Sequence, residues 1–301
     1  MTSDPNKINK HGLKYNALSR IRTKEKLYLL SPLANSHFQI DKSVSIEMER
    51  LTSSARWKLL VPILKNIRHS HVIIQSININ SLSRHHLNIQ NDYNLQSSHI
   101  LCFQETRIKD FEKISQYINL YKYKYIHNFD RHGLVLLYDK NMICSSTTIN
   151  HHSGSEFIAA TFNEGHRNAI HVITLYRSHV TSIFSFINIL EQILCKIPLA
   201  CPTVILGDFN IDFDKEIDKY KDLQILHACM SKYHFKQHLS ISTTKSNSLI
   251  DHIWSNIPGQ ETFFGVTDAY WPDYHKPIYC AFKLPNTMPH YFCNKSKIFF
   301  N

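Results

Sequence analysis

Apolar residues in this chain come in short runs, and most of those runs end on polar or ionisable side chains. Val204-Ile205-Leu206, between Pro202 and Gly207, predicts a buried strand that Gly207 breaks, with Asp208 and Asn210 directly after it. Alternation of side chains puts Asp208 and Asn210 on the same side of an extended segment. Val72–Ile74 predicts a second buried strand, after which Ser76, Asn78 and Asn80 share one face and Ile77 and Ile79 the other. Ile100–Phe103 predicts a strand ending in Gln104 and Glu105. Gly133–Tyr138, Phe157–Phe162, Ala169–Tyr176, Leu249–Ser255 and His275–Leu284 read as further strands, the last three carrying Tyr176, Asp251 and His275. Tyr117–His127 alternates Tyr with Lys and reads as a half-exposed edge strand, with stacking on a nucleic acid strand as the functional alternative. Helical period marks Ser182–Lys196 and Leu223–Tyr233. Asp92–Ser98 reads as helix or loop, and Ser242–Ser248 and Pro258–Asp273 as loops.

Strands outnumber helices in this pattern, and the polar residues recur at strand ends. Two packed sheets flanked by helices gather such ends along one rim. The predicted fold is therefore α+β: a four-layered sandwich of two mainly antiparallel β-sheets with helices outside. Residues 71–285 form the main domain. Residues 1–70 read as a separate basic extension, disordered over Met1–Gly12, with an amphipathic helix over Ser45–Ile67 that packs on the main domain or meets a nucleic acid. Residues 286–301 read as a basic tail.

Composition narrows the partners. Lys and Arg number 34 against 24 Asp and Glu, a net charge of +10, which favours polyanionic partners. The most apolar stretch, Ile183–Leu206, is interrupted by Glu191, Gln192 and Lys196, so no membrane span is expected. The seven Cys show no C-x-x-C spacing, and the first twenty residues lack an apolar signal core. Both fit reduced thiols in the nucleus or cytoplasm and not a secreted protein.

The strand-end residues suggest chemistry. A carboxylate beside a carboxamide, as in Asp208 and Asn210, suits holding a water and a phosphate; the structural alternative is an Asx turn closing a strand. A Glu where an apolar strand ends, as Glu105, suits a hard cation that takes carboxylates plus waters and phosphate; the alternative is a salt bridge to Arg107 or Lys109.

In their order, these residues resemble the endonuclease/exonuclease/phosphatase superfamily, over about residues 72–282. The motifs are Asn78-Ile-Asn80-Ser-Leu82, Phe103-Gln104-Glu105-Thr106, the strand-end Tyr176, Gly207-Asp208-Phe209-Asn210, Ile250-Asp251-His252-Ile253 and Asp273-Tyr274-His275-Lys276-Pro277. The text between them (ILCFQET, TTKSNSLIDHIWSN) is most similar to endonuclease domains of transposable elements, of the LINE and Helitron kind.

The resemblance implies metal-dependent hydrolysis of DNA phosphodiesters with Mg²⁺ or Mn²⁺. Glu105 and Asn80 would hold the metal. Asp208 would be the general base, its pKa raised by burial, and Asn210 would orient water or phosphate. A protonated His275 would stabilise charge on the phosphate, with Asp251 fixing its ring, and Tyr176 and Asn78 would bond the phosphate or the groups behind it. Loops set substrate preference in this superfamily, which makes Thr243, Thr244, Lys245 and Trp271 the substrate-binding candidates. DNA is the expected partner and RNA the second candidate, for a monomer or a part of a larger transposon polyprotein. Two alternatives share the core: a phosphoinositide-type phosphatase, and a catalytically decayed copy that only binds nucleic acid. Three departures bear on the last. Tyr274 stands where the superfamily has Asp before the His, Asn80 where many repair enzymes have Asp, and His179 where an Asn often follows the Tyr.

Overall fold

The computed structural model describes residues 2–3, 28–29, 64, 66–109, 111–163, 169–198, 201–257, 262–267 and 274–283. The chain divides into two units, Met1–Val61 and Pro62–Asn301. In the first, Thr2–Ser3 pairs in parallel with Tyr28–Leu29. The helix expected over Ser45–Ile67 lies almost wholly outside the described residues, as does the tail at 286–301.

The second unit holds two six-stranded sheets. Its strands are β1 (His71–Asn78), β2 (Ile100–Gln104), β3 (Tyr123–Asn128), β4 (Leu134–Asp139), β5 (Cys144–His152), β6 (Ser155–Phe162), β7 (Ile170–Arg177), β8 (Thr203–Asp208), β9 (Lys236–Gln237), β10 (Asp251–Ser255), β11 (Thr262–Val266) and β12 (Ile278–Lys283). One sheet runs β11-β12-β1-β2-β4-β3 and the other β9-β10-β8-β7-β6-β5. Each is antiparallel except for one central parallel pair, β1 with β2 and β7 with β8.

Period-two alternation makes the sandwich. Val72 and Ile74 on β1, Ile100 and Cys102 on β2, Val172 on β7 and Val204 and Leu206 on β8 meet between the sheets, all fully buried or nearly so. The alternate residues face outward under helices. Ile173, Leu175, Ile205 and Trp254 pack beneath α4 (Ile183–Leu194) and α5 (Lys221–Lys232). Ile77, Leu101, Phe103 and Val135 pack beneath α1 (Leu82–Asn91), with α2 (Tyr93–Gln96) and α3 (Phe111–Tyr117) completing that layer. Strands buried on both faces read as continuous apolar runs, which is why they were legible. The result is the expected four-layered α+β sandwich.

Several local expectations change. The strand does not break at Gly207: β8 continues through Asp208. A Cβ on Gly207, at φ +147°, would stand 2.0 Å from the Leu175 carbonyl oxygen, so glycine permits a close approach of β7 inside the strand. Asn80 and Asn210 do not continue the alternation of their strands. Both follow a strand end with φ near +50°, and each backbone N–H turns back to the side chain two residues earlier, Asn80 to Asn78 Oδ1 (3.2 Å) and Asn210 to Asp208 Oδ1 (3.0 Å). The Asx turn and the candidate site are thus one feature.

Thr262–Val266, read as loop, is the edge strand β11. His275 precedes β12 and forms an isolated bridge with Thr244. Four elements, α1, α3, β5 and β9, had no sequence signal. In α1 the buried residues are Leu82, His85 and Ile89 while Leu87 is 59% exposed, which blurs the helical period. β5 is an edge strand of mostly exposed polar residues. Of the Tyr117–His127 segment expected as an edge strand, Tyr117 closes α3, a turn follows, and Tyr123–Asn128 is the edge strand.

Candidate active site

Register assembles the site. In one sheet Tyr176 pairs with Asp208 and Asp208 with Asp251, so three neighbouring strands carry Tyr, Asp and Asp in one row. In the facing sheet Asn78 pairs with Gln104, and the following Ile79 N–H donates to the Gln104 carbonyl at 3.1 Å, which brings Asn80 alongside Glu105. The sheets meet at these ends. Just below, Gln104 bridges them, its Nε2 donating to Ser76 Oγ at 2.9 Å and to Thr174 Oγ1 at 3.0 Å.

The Asn78 amide joins the two halves. Its Nδ2 donates to Glu105 Oε1 at 2.8 Å and to Asp208 Oδ2 at 3.0 Å, while Oδ1 accepts the Asn80 N–H. Every polar atom of this buried side chain is occupied within the protein, so Asn78 orients both carboxylates rather than presenting a donor to a ligand. Glu105 also accepts from Arg107 Nη2 at 3.1 Å. Burial works to raise the Glu105 pKa, but the Asn78 and Arg107 hydrogen bonds and the Arg107 charge outweigh it and hold the carboxyl below its ordinary value.

Asp208 is 1% exposed. Burial, then repulsion from Asp251, raises its pKa, against the opposing pull of His275 and Asn78. His275 Nδ1 lies 2.9 Å from Asp251 Oδ2, and its Nε2 stands 3.8 Å from Asp208 Oδ2. Burial alone would lower the imidazole pKa; Asp251, Asp208 and Glu105 together overcome it and raise it to about 9. The ring is a cation at neutral pH, donating Nδ1–H to Asp251. Tyr176 is buried, with the His132 ring 4.7 Å away, and burial followed by the charges of Glu105 and Asp208 raises its phenol above the ordinary range.

Asn78, Asn80, Glu105, Asp208, Asn210 and His275 line one cavity of about 440 Å³, rimmed by Arg107, His179 and Tyr274. Tyr274 does not enter the cluster as a carboxylate would. Its ring is 44% exposed, packs edge-on against His275, and its hydroxyl hydrogen-bonds Ser246. Thr243 and Thr244 are fully buried. Thr243 Oγ1 accepts the Asp251 N–H at 3.1 Å and the Ile250 N–H at 3.3 Å, and Thr244 Oγ1 is bonded within the loop. The structure gives them the bracing of Asp251 and of the loop; among these three neighbours only Lys245 is exposed. Trp271 and Asp273 lie outside the described residues.

Two arrangements of ligands are available to a divalent cation. Asp208, Asp251 and His275 bring donor atoms within 4.8 Å of one another. There the imidazole is protonated and its Nδ1 is engaged by Asp251, which disfavours it as a ligand. The Glu105 side fits better. Asn80 Oδ1 is a buried oxygen with no hydrogen-bond partner, beside a carboxylate whose pKa is held low, and oxygen donors of this kind suit a hard cation. Coordination by Glu105 Oε2 would displace the exposed Arg107 head.

Three residues had no role assigned from the sequence. Glu156 pairs with Tyr176 and extends the polar row to a fourth strand; fully buried, it accepts the N–H groups of His132 (2.7 Å) and Gly133 (2.9 Å), in the connection that leads into β4 of the other sheet. The carbonyls of those two residues take the N–H groups of Arg107 and Thr106, so Glu156 braces the turn that carries Glu105. His252, neutral because burial lowers its pKa to about 4, hydrogen-bonds the Ile211 and Leu249 carbonyls and stacks on Phe209. Arg177 is a buried cation behind Asn210. Only the tertiary neighbours of these side chains distinguish them from ordinary strand residues.

Comparison with solved structures finds the same fold at low identity. The endonuclease domain of TRAS1, a telomere-specific non-LTR retrotransposon, matches with a TM-score of 0.52 at 10% identity, covering 71% of this chain and 99% of that domain. The 3′–5′ exonuclease NExo from Neisseria meningitidis gives 0.56 at 16% identity, covering 70% and 100%. An AP endonuclease from Archaeoglobus fulgidus gives 0.52 at 14%, covering 70% and 99%. No curated protein matches the chain significantly by sequence. Residues 76–273, which span every residue of the cluster from Asn78 to Asp251 and stop two short of His275, match the model of the Endonuclease/Exonuclease/phosphatase family, and the chain belongs to that family of nucleases and phosphatases.

Proposed function

We propose that this protein is a DNA endonuclease dependent on Mg²⁺ or Mn²⁺. The observation that carries the reading is the Asn78 bridge, which holds a low-pKa carboxylate and a raised-pKa carboxylate in one cavity opposite an imidazolium. Carboxylates pushed apart in pKa are suited to different tasks. Asp208, the more basic, takes the proton of the attacking water. Asn210 Nδ2 donates to the Arg177 carbonyl at 2.6 Å, leaving Oδ1 as the amide atom to accept a water hydrogen and aim its lone pair. His275 directs Nε2–H at the phosphate and stabilises the charge that builds there, while Asp251 holds the ring. Glu105 and the Asn80 carboxamide would hold the cation. Held there, it would supply Lewis-acid polarisation of the phosphate and neutralise charge building on the leaving group.

DNA as the partner is supported by the net charge of +10 and by neighbours described in complex with product DNA. A transposable-element source is supported by the text between the motifs and agrees with the TRAS1 likeness in fold. The free thiols among the described cysteines are in keeping with a nuclear or cytoplasmic setting. No described helix is long and apolar enough to cross a membrane.

Nicking of supercoiled plasmid by the purified protein in Mg²⁺, against EDTA and against Asp208→Ala, tests the reading. Nicking that requires both is expected. Folded protein that leaves plasmid intact but releases phosphate from a phosphoinositide would make it a phosphatase. Absence of both activities with retained DNA binding would make it a decayed binder.

A further inference from the structure

We propose that Arg177 is a positioning residue for Asn210, setting the orientation of the amide that faces the cavity; this rests on the nuclease reading above. Arg177 closes β7 next to Tyr176 and is 4% exposed. Its guanidinium reaches the turn that follows β8. Nη1 donates to the carbonyls of Phe209 (3.4 Å) and Asn210 (3.3 Å), and Nη2 to the Thr181 carbonyl and to Asp222 Oδ2 on α5, both at 2.8 Å. The main-chain carbonyl of the same Arg177 accepts Asn210 Nδ2 at 2.6 Å. Asn210 is therefore gripped twice by one residue, its carbonyl by the guanidinium and its carboxamide by the peptide oxygen. Its N–H is taken by Asp208.

The grip has a task. Asn210 sits at φ +49°, a left-handed conformation that Asn tolerates but that surrounding structure must enforce. With Nδ2 committed to the Arg177 carbonyl, the amide cannot turn over without breaking that bond, so the bond fixes the position of Oδ1 in a residue that lines the cavity. A residue serving only the fold here would need no more than Thr181 and Asp222, which tie the β7–α4 turn to α5. Half of the guanidinium's bonds go instead to the two carbonyls that set the Asn210 turn. Lysine cannot reproduce this, because one ammonium cannot span acceptors arranged around a planar fork. A buried cation is tolerated because Asp222 supplies a carboxylate and three carbonyls take the other Nη hydrogens, while the buried Nε–H has no hydrogen-bond partner.

A double-variant cycle on metal-loaded protein, read as plasmid nicking, tests this, with Asn210→Ala as the reference. Arg177→Lys should lower kcat by roughly tenfold to a hundredfold with KM for DNA unchanged, the effect of misaligning a group that acts on the reacting water. In the Asn210→Ala background the same change should cost less than about twofold, since the residue it positions is already gone. Asp222→Asn, at a half-exposed partner, should give a smaller drop of about threefold that also vanishes in the Asn210→Ala background, and it carries the test if Arg177→Lys does not fold. Losses that multiply in full would overturn the proposal while leaving the nuclease reading intact. Asn210→Ala turning over at the parental rate would instead overturn the role given to Asn210, and the proposal with it.

Discussion

Asn78 on one sheet donates to Asp208 on the other at 3.0 Å, across 130 positions of sequence, and the second hydrogen of the same nitrogen goes to Glu105. This amide is the only described side chain that binds both carboxylates at once. Asn78→Ala leaves both without that donor in a buried setting, with an expected stability loss of about 1–3 kcal/mol in urea unfolding. Asn78→Asp places a third carboxylate against the pair and should reduce nicking more than the alanine variant does.

The Asp251–His275 pair sets a pH limit. The His275 pKa, raised to about 9, lies above its unfolded value, so the stability it contributes is complete below pH 6.5 and is lost as pH rises through about 9. Activity that needs the imidazolium should fall over the same alkaline interval. In a pH profile of kcat/KM, Asp251→Asn should move the alkaline limb toward neutrality, because the aspartate charge is what chiefly overcomes burial. An unmoved limb would detach His275 from it.

In the proposed site Asn80 would offer the cation a neutral oxygen, a buried Oδ1 with no hydrogen-bond partner. Asn80→Asp adds a full charge at that position, and affinity at such sites grows with ligand charge. The Mg²⁺ concentration for half-maximal nicking should fall by about tenfold, and direct Mn²⁺ binding followed by electron paramagnetic resonance should tighten in parallel. No change in either would place the cation away from Asn80.

Glu156 accepts two backbone N–H groups with one carboxylate. Glutamine keeps one acceptor and turns an N–H₂ toward the other donor. Glu156→Gln should cost about 1–3 kcal/mol in urea unfolding, and Glu156→Asp, one methylene short, a comparable amount. Full stability in both would mean that the turn at Glu105 holds itself.

The sequence by itself determined the layers. Val72–Ile74, Ile100–Phe103, Ala169–Tyr176 and Val204–Leu206 are too apolar and too short for anything but strands buried on both faces, and polar residues at their ends marked the rim. That is local information, and local patterns survive in sequence. It failed where locality fails: α1 hides its period behind a buried His85 and an exposed Leu87, and β5 is an edge strand with no buried face to impose alternation. The tertiary structure alone decided which polar ends touch. Register set Tyr176, Asp208 and Asp251 in one row, the crossing of the sheets put Asn78 between Glu105 and Asp208, and burial separated their pKa values. It also turned Thr243 and Thr244 inward and aimed Arg177 and Glu156 at the site's backbone. Hydrogen bonds between residues a hundred positions apart depend on how two sheets meet, and no single stretch of chain carries that distance.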